Sequence, residues 1–355
     1  MKHRLSRTSS LRPLLSVAAL VVTVTATAAC GLDGDLFWIR RAGADLPVLV
    51  RGDTSSQRFL VLIHGGPGAS SFTYPKLPAF ASLERSSAVV YWDQRSAGAS
   101  LGDPPPETLT LEDYAADTEL VVDALRARYG ADVDVILLGH SWGGAVGTAF
   151  LLDRERQRKV QGWVEMNGAH DLVRAYALSR EYMLAYAAAR LAEPGLDEEE
   201  RARWQEAQAF YEEHEALDAE SRARHGEYLA HAHGYVFDPA NEQTQLRDVV
   251  DAFAGTPLSL LSWLTHMQRS QIVAAHRVSL TDELGALELP TLLLWGTHDR
   301  AVPVALADEA WAALSTPPAD KHIVRFERSG HAPCVEEPEA FVEAVEAFMT
   351  RYAPR

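Results

Sequence analysis

Three residues far apart in the chain have the types that acyl transfer needs: Ser141, Asp299 and His331. A serine hydroxyl is a weak nucleophile at neutral pH and needs a base to take its proton. A histidine can be that base when a carboxylate fixes its tautomer and stabilises the imidazolium. Ser141 stands in Gly139-His140-Ser141-Trp142-Gly143, a serine between two glycines at a strand-to-helix junction, which is the pattern of a nucleophile elbow. Asp299 and His331 have rivals in Asp282 and His298. Asp299 is selected because it follows an apolar run by a short turn and precedes Val302-Pro303. His298 abuts the acid in the same turn and is assigned to packing or hydrogen bonding. A tetrahedral intermediate also needs two amide donors aimed at its oxygen. One is the amide of Trp142, and the other comes from Gly65 or Gly66 in His64-Gly65-Gly66-Pro67-Gly68. Pro67 has no amide hydrogen, and Gly66 is chosen.

Each of these residues needs an element to position it. Phe59 to Ile63, Ala88 to Trp92, Val133 to Leu138, Gly162 to Met166, Pro290 to Trp295 and His322 to Phe326 are mostly apolar runs of strand length, suited to a sheet buried on both faces. Leu36 to Arg40 and Leu46 to Val50 predict a strand pair, and Thr110 opens a helix that runs to Tyr129. Buried strands alternating with helices predict a parallel α/β sheet, whose sites lie beyond the C-terminal strand ends. His64, Asp93, Ser141, Asp299 and His331 all fall there. Residues 171–286 lose the strand pattern and are rich in Ala, Glu, Arg and Leu. They predict a helical cap that splits the core into residues 30–170 and 287–355. Within it, Asp197-Glu198-Glu199-Glu200 reads as a helix N-terminus, where acids suit the dipole.

Composition sets the outer limits. The chain has 355 residues and a net charge of −16, which argues against a nucleic-acid surface. Its two cysteines, Cys30 and Cys334, are too far apart for zinc-type spacing. Lys2, Arg4, Arg7 and Arg12 precede the uncharged, mostly apolar stretch Leu14 to Ala29, the layout of an export signal. The chain past residue 29 carries 29 basic and 49 acidic residues, a net of −20. Thr27-Ala28-Ala29-Cys30-Gly31 resembles a bacterial lipobox, which would lipidate Cys30 and tether the protein to a membrane. Ordinary secretion after Ala26-Thr27-Ala28, or a retained span, are the alternatives, and lipid incorporation that survives Cys30→Ser would exclude the tether. His231-x-His233 lies in the cap, but two positions apart on a helix do not share a face. No metal is assigned there.

His64-Gly65-Gly66-Pro67-Gly68, Asp93-Gln94-Arg95 with Gly98 and Ser100, and Gly-x-Ser-Trp-Gly-Gly together resemble the proline iminopeptidase family of α/β-hydrolases. The resemblance covers roughly residues 36–170 and 287–352. The order Ser141, Asp299, His331 is also that of the α/β-hydrolase triad. The resemblance implies a mostly parallel eight-stranded sheet flanked by helices, with an inserted helical cap. It further implies release of an N-terminal residue from a small amide or short peptide through an acyl-enzyme on Ser141, with no metal or organic cofactor. Two departures stand out. Ser96 replaces the glycine that usually follows Asp-Gln-Arg, and the cap lacks a recognisable tryptophan-and-glutamate segment to bind the substrate amine. Glu165, Asp171 and Glu181 are the carboxylates placed to replace it, and His64 and Trp263 are further candidates for substrate contact. An esterase with the same triad is the competing enzyme, and an inactive hydrolase-fold binding lipoprotein is the reading from another class.

Overall fold

The computed structural model describes residues 33–241 and 277–354. The stretch expected to be an export signal, Cys30 and Trp263 lie outside them. Nine strands form one sheet among the described residues: β1 (Asp35–Arg41), β2 (Ala44–Gly52), β3 (Arg58–Ile63), β4 (Ala88–Trp92), β5 (Leu101–Gly102), β6 (Asp134–His140), β7 (Gly162–Met166), β8 (Thr291–Gly296) and β9 (Lys321–Phe326). Their order is β1-β2-β4-β3-β6-β7-β8-β9, with β5 pairing β2 at one end. β5 is therefore a two-residue addition to the eight strands expected. β1, β2 and β4 pair antiparallel, and every contact from β4 to β9 is parallel.

The apolar runs are continuous because both faces are covered. Val61, Ile63, Leu137, Trp163 and Leu293 point into one apolar cluster, while Leu60, Leu62, Ile136, Val164 and Leu292 point into the other. Burying side chains of this size contributes about 1.5–3 kcal/mol each. The helices α1 (Pro78–Leu83), α2 (Leu111–Tyr129), α3 (Trp142–Leu152) and α4 (Arg154–Gln157) lie between strands of the first part. Thr110 caps α2 by accepting a hydrogen bond from Asp113 N.

Between β7 and β8 the chain runs through α5 (Leu172–Leu191), α6 (Glu198–Glu213) and α7 (Ala219–His231). Asp171, Asp197 and Asp218 cap them in turn, and the three glutamates after Asp197 fill the first turn of α6. These helices have an apolar cluster of their own, built from Met183, Ala187, Trp204, Tyr211, Tyr228 and Leu229. After β8 come α8 (Ala305–Ala313), α9 (Pro333–Glu336) and α10 (Pro338–Tyr352). No helix of the described residues is long and apolar enough to cross a membrane.

Candidate active site

Ser141 sits between the last residue of β6 and the first of α3, at φ 55° and ψ −121°. A non-glycine residue held at positive φ costs about 1–3 kcal/mol and persists only where its surroundings fix it. They do so here. Ser141 N donates to Met166 O at 3.2 Å, and its carbonyl accepts from Gly144 N and Ala169 N at 2.8 Å each. A side chain at Gly143 would bring a Cβ within 1.9 Å of Ile63 O, so strand and helix approach this closely only with glycine there. The Ser141 hydroxyl does not cap α3, which leaves it free for chemistry.

Asp299 is buried in the turn after β8. Its Oδ1 accepts from Ala301 N at 2.8 Å and Val302 N at 2.9 Å. Its Oδ2 accepts from His331 Nδ1 at 2.7 Å and from Asn167 Nδ2 at 2.7 Å. That proton on Nδ1 leaves Nε2 as the basic nitrogen of His331. His140, the neighbour of Ser141, lies against the same histidine, with ring centroids 5.0 Å apart. His140 Nε2 donates to His331 O at 2.9 Å, and its Nδ1 accepts from the Tyr74 hydroxyl at 2.6 Å. Burial, with His331 adding to it, pushes the His140 pKa down to about 3. His140 is thus a neutral, fixed prop between the elbow and the His331 loop.

Trp142 is the first residue of α3, and first-turn amides have no acceptor within their helix. The loop after β3 lies over the serine, since a Cβ on Gly65 would stand 3.0 Å from Ser141 Cβ and 3.6 Å from Oγ. Gly66 follows at φ 118°, a conformation open to glycine alone. The Asp-Gln-Arg motif braces this loop. Asp93 is buried and accepts from Ser71 N at 2.7 Å and Ala99 N at 2.6 Å. Gln94 Nε2 donates to His64 O at 2.8 Å while its Oε1 accepts from Trp142 Nε1 at 3.0 Å. Arg95 reaches α2, its Nε 2.6 Å from Asp117 Oδ2.

Two candidate substrate contacts already have protein partners in this geometry. His64 is buried, with Nδ1 donating to Gly65 O at 2.8 Å and Nε2 accepting from Gln94 N at 3.1 Å. Both ring nitrogens are taken, so its ring braces the loop after β3. Glu165 is buried too, its Oε1 2.7 Å from His170 Nδ1. Burial opposes the charged form of His170, but the Glu165 carboxylate outweighs it and the pKa is raised. Glu165 Oε1 is therefore already partnered, as a buttress would be. Asp171 likewise accepts from Ser279 Oγ at 2.6 Å and Thr281 Oγ1 at 3.0 Å, and Glu181 is exposed.

The remaining sequence readings fall as follows. His298 packs under Phe237, with centroids 4.6 Å apart. His231 Nε2 lies 3.0 Å from Glu200 Oε1, and burial pushes the Cys334 thiol up to about 12. Asn167 and His140 were not found from sequence. An asparagine at a strand end was the one signal for Asn167, since asparagine tolerates the positive φ of 44° found there.

Comparison with known proteins agrees with this architecture. The pattern of the alpha/beta hydrolase family matches residues 60–344. A proline iminopeptidase of Lactobacillus delbrueckii subsp. bulgaricus is 26% identical over 300 residues, covering 84% of this chain and 92% of that protein. The crystal structure of a proline iminopeptidase from Mycobacterium smegmatis superposes with a TM-score of 0.64 at 18% identity, over 90% of this chain and 99% of the other. That of the esterase RhEst1 from Rhodococcus sp. ECU1013 gives 0.58 at 21% identity, over 89% and 99%. Likenesses of that order speak for the fold. The chain belongs to the alpha/beta hydrolase family and is, within it, similar to the proline iminopeptidases.

Proposed function

We propose that the protein is a serine hydrolase that releases an N-terminal residue from small amide or short-peptide substrates through an acyl-enzyme on Ser141. The observation that carries this reading is the 2.7 Å bond from His331 Nδ1 to a buried, fully hydrogen-bonded Asp299, beside a serine held in an elbow. In the first half-reaction Ser141 Oγ attacks the carbonyl carbon and its proton passes to His331 Nε2. The negative charge that forms on the carbonyl oxygen is met by the amides of Trp142 and Gly66, a pair of contacts made only as charge develops. The intermediate collapses, and His331 returns the proton to the leaving amine. Water then repeats the sequence on the acyl-enzyme, with His331 again as base. Asp299 keeps its charge throughout and holds the imidazolium in place.

A carboxylic ester hydrolase is the second reading, and one observation favours it. Glu165 is consumed by His170, which removes the best-placed carboxylate for a substrate ammonium, and a buried ammonium without a partner is costly. Both readings predict that Ser141→Ala abolishes covalent labelling by a fluorophosphonate probe and leaves the thermal melt unchanged. Equal labelling of the variant would remove Ser141 from the mechanism. Turnover of Pro- and Ala-arylamides over their N-blocked forms supports the aminopeptidase, whereas turnover of aryl esters alone excludes it.

A further inference from the structure

The segment that follows α7 lies across both loops that carry the acid and the base of the triad. Gly234 O accepts from Arg300 N at 2.8 Å, next to Asp299, and Tyr235 O accepts from His331 N at 2.7 Å. The fit is close, because a Cβ on Gly330 would stand 2.3 Å from Tyr235 O. The Tyr235 ring packs on the His331 ring with centroids 5.9 Å apart, and Phe237 covers His298. The backbone of the catalytic histidine is therefore held by a carbonyl from the helical insert, in addition to the sheet that precedes it.

One side chain grips both parties. Glu336, at the end of α9, accepts from Gly330 N at 2.6 Å through Oε2. Its Oε1 accepts from Phe237 N at 2.9 Å, Asp238 N at 3.3 Å and Asn241 Nδ2 at 3.1 Å. Hydrogen bonds to a carboxylate are roughly twice as strong as neutral ones. Four of them here converge on one group that spans the residue before His331 and the segment over it.

We infer that Glu336 is a positioning residue for His331, acting through the clamp that Gly234 to Asn241 forms over the His331 loop. The inference rests on His331 being the base. Without the carboxylate, the loop keeps the Tyr235 carbonyl contact but loses the anchor that sets the distance between segment and loop. A misplacement of about 1 Å at a catalytic group costs on the order of 100-fold in rate.

The test uses the full chain with Glu336→Ala and Glu336→Gln. Glutamine keeps one acceptor oxygen, so it can hold the loop or the segment but not both. The expected result is a fall in kcat of about 10- to 100-fold for alanine and about 3- to 10-fold for glutamine, with KM within about twofold. The rate of fluorophosphonate labelling should fall in the same order. It reads serine nucleophilicity with a probe too small to need the insert. Should Glu336→Ala fail to fold, the glutamine variant decides by the same two readouts. Labelling and kcat at the wild-type level, measured well below the melting temperature, would overturn the inference and leave Glu336 as a structural latch only. If the wild type is not labelled at all, or Ser141→Ala labels equally, it is the serine-hydrolase reading that fails.

Discussion

The C-terminal edge of the sheet and the helical insert between β7 and β8 are shaped by different forces. At the edge, position follows from register. Gly139 pairs with Glu165, His140 with Met166, and Met166 with Leu294. The residues just beyond those strands, Ser141, Asn167 and the turn to Asp299, must then lie side by side. Among the described residues of the insert, no strand ladder sets position. α5, α6 and α7 hold together through an aromatic cluster around Trp204, with Tyr186 at 5.2 Å and His231 at 5.2 Å between ring centroids. The contrast teaches where each function resides. On the proposed reading the strand ends carry the chemistry, and the segment after α7 helps to hold the His331 loop.

Asp299→Asn should break the edge with the least damage to the fold. Asparagine keeps an oxygen for Ala301 N and Val302 N, but its amide would donate toward His331 Nδ1 and impose the wrong tautomer. In serine proteases the equivalent change costs about 10⁴-fold in kcat, and a fall of that order is expected here with an unchanged melt. Steady-state kinetics against the best arylamide or ester would check it. A loss below tenfold would mean that Asp299 does not hold the base.

The opposite dissociation is expected from Trp204→Ala. Trp204 is buried in the insert's own cluster, and truncating such a tryptophan costs about 3–5 kcal/mol. Urea unfolding should show that loss, while the fluorophosphonate labelling rate in folded protein stays within about threefold of wild type. If labelling falls in step with stability, the insert and the sheet edge are one cooperative unit and the division drawn above is wrong.

The same contrast explains what could be read before any coordinates. The strands that precede Ser141 and Asp299 were legible because each is a continuous apolar run buried on both faces, whereas β9, before His331, is only partly buried. The helices of the insert were legible through their caps and acidic first turns, as at Asp197. Tyr235 was not, because it acts on His331 through a backbone carbonyl, which no residue type announces. The partners of His64 were hidden for a related reason. A histidine beside glycines in a catalytic loop has the right type for substrate contact, and only the hydrogen bonds to Gly65 and Gln94 reveal that its ring is spent. The pairing of Glu165 was hidden likewise, since its partner His170 follows five residues on, and nothing in the sequence says that both point inward.

The smallest effect expected is a gain. Ser96 stands where the resembling family has glycine, and it is held at φ 53°. Its buried hydroxyl has no hydrogen-bond partner among the described residues. A left-handed conformation costs a non-glycine residue roughly 1–2 kcal/mol, and an unsatisfied buried hydroxyl adds about 1–3 kcal/mol. Glycine would relieve both, offset by about 0.5–1 kcal/mol of greater freedom in the unfolded chain. Ser96→Gly should therefore raise stability by at least about 1 kcal/mol, the low end of that sum, and the melting temperature by at least roughly 2 °C. The braces on either side are independent of the Ser96 side chain, since Arg95 is fixed by Asp117 and Ala97 N by Ser100 Oγ. Labelling at Ser141 should for that reason stay at the wild-type rate. A lower melting temperature would show that the hydroxyl is satisfied by a bound water. The departure from the family pattern would then be a working part of the brace under the loop after β3.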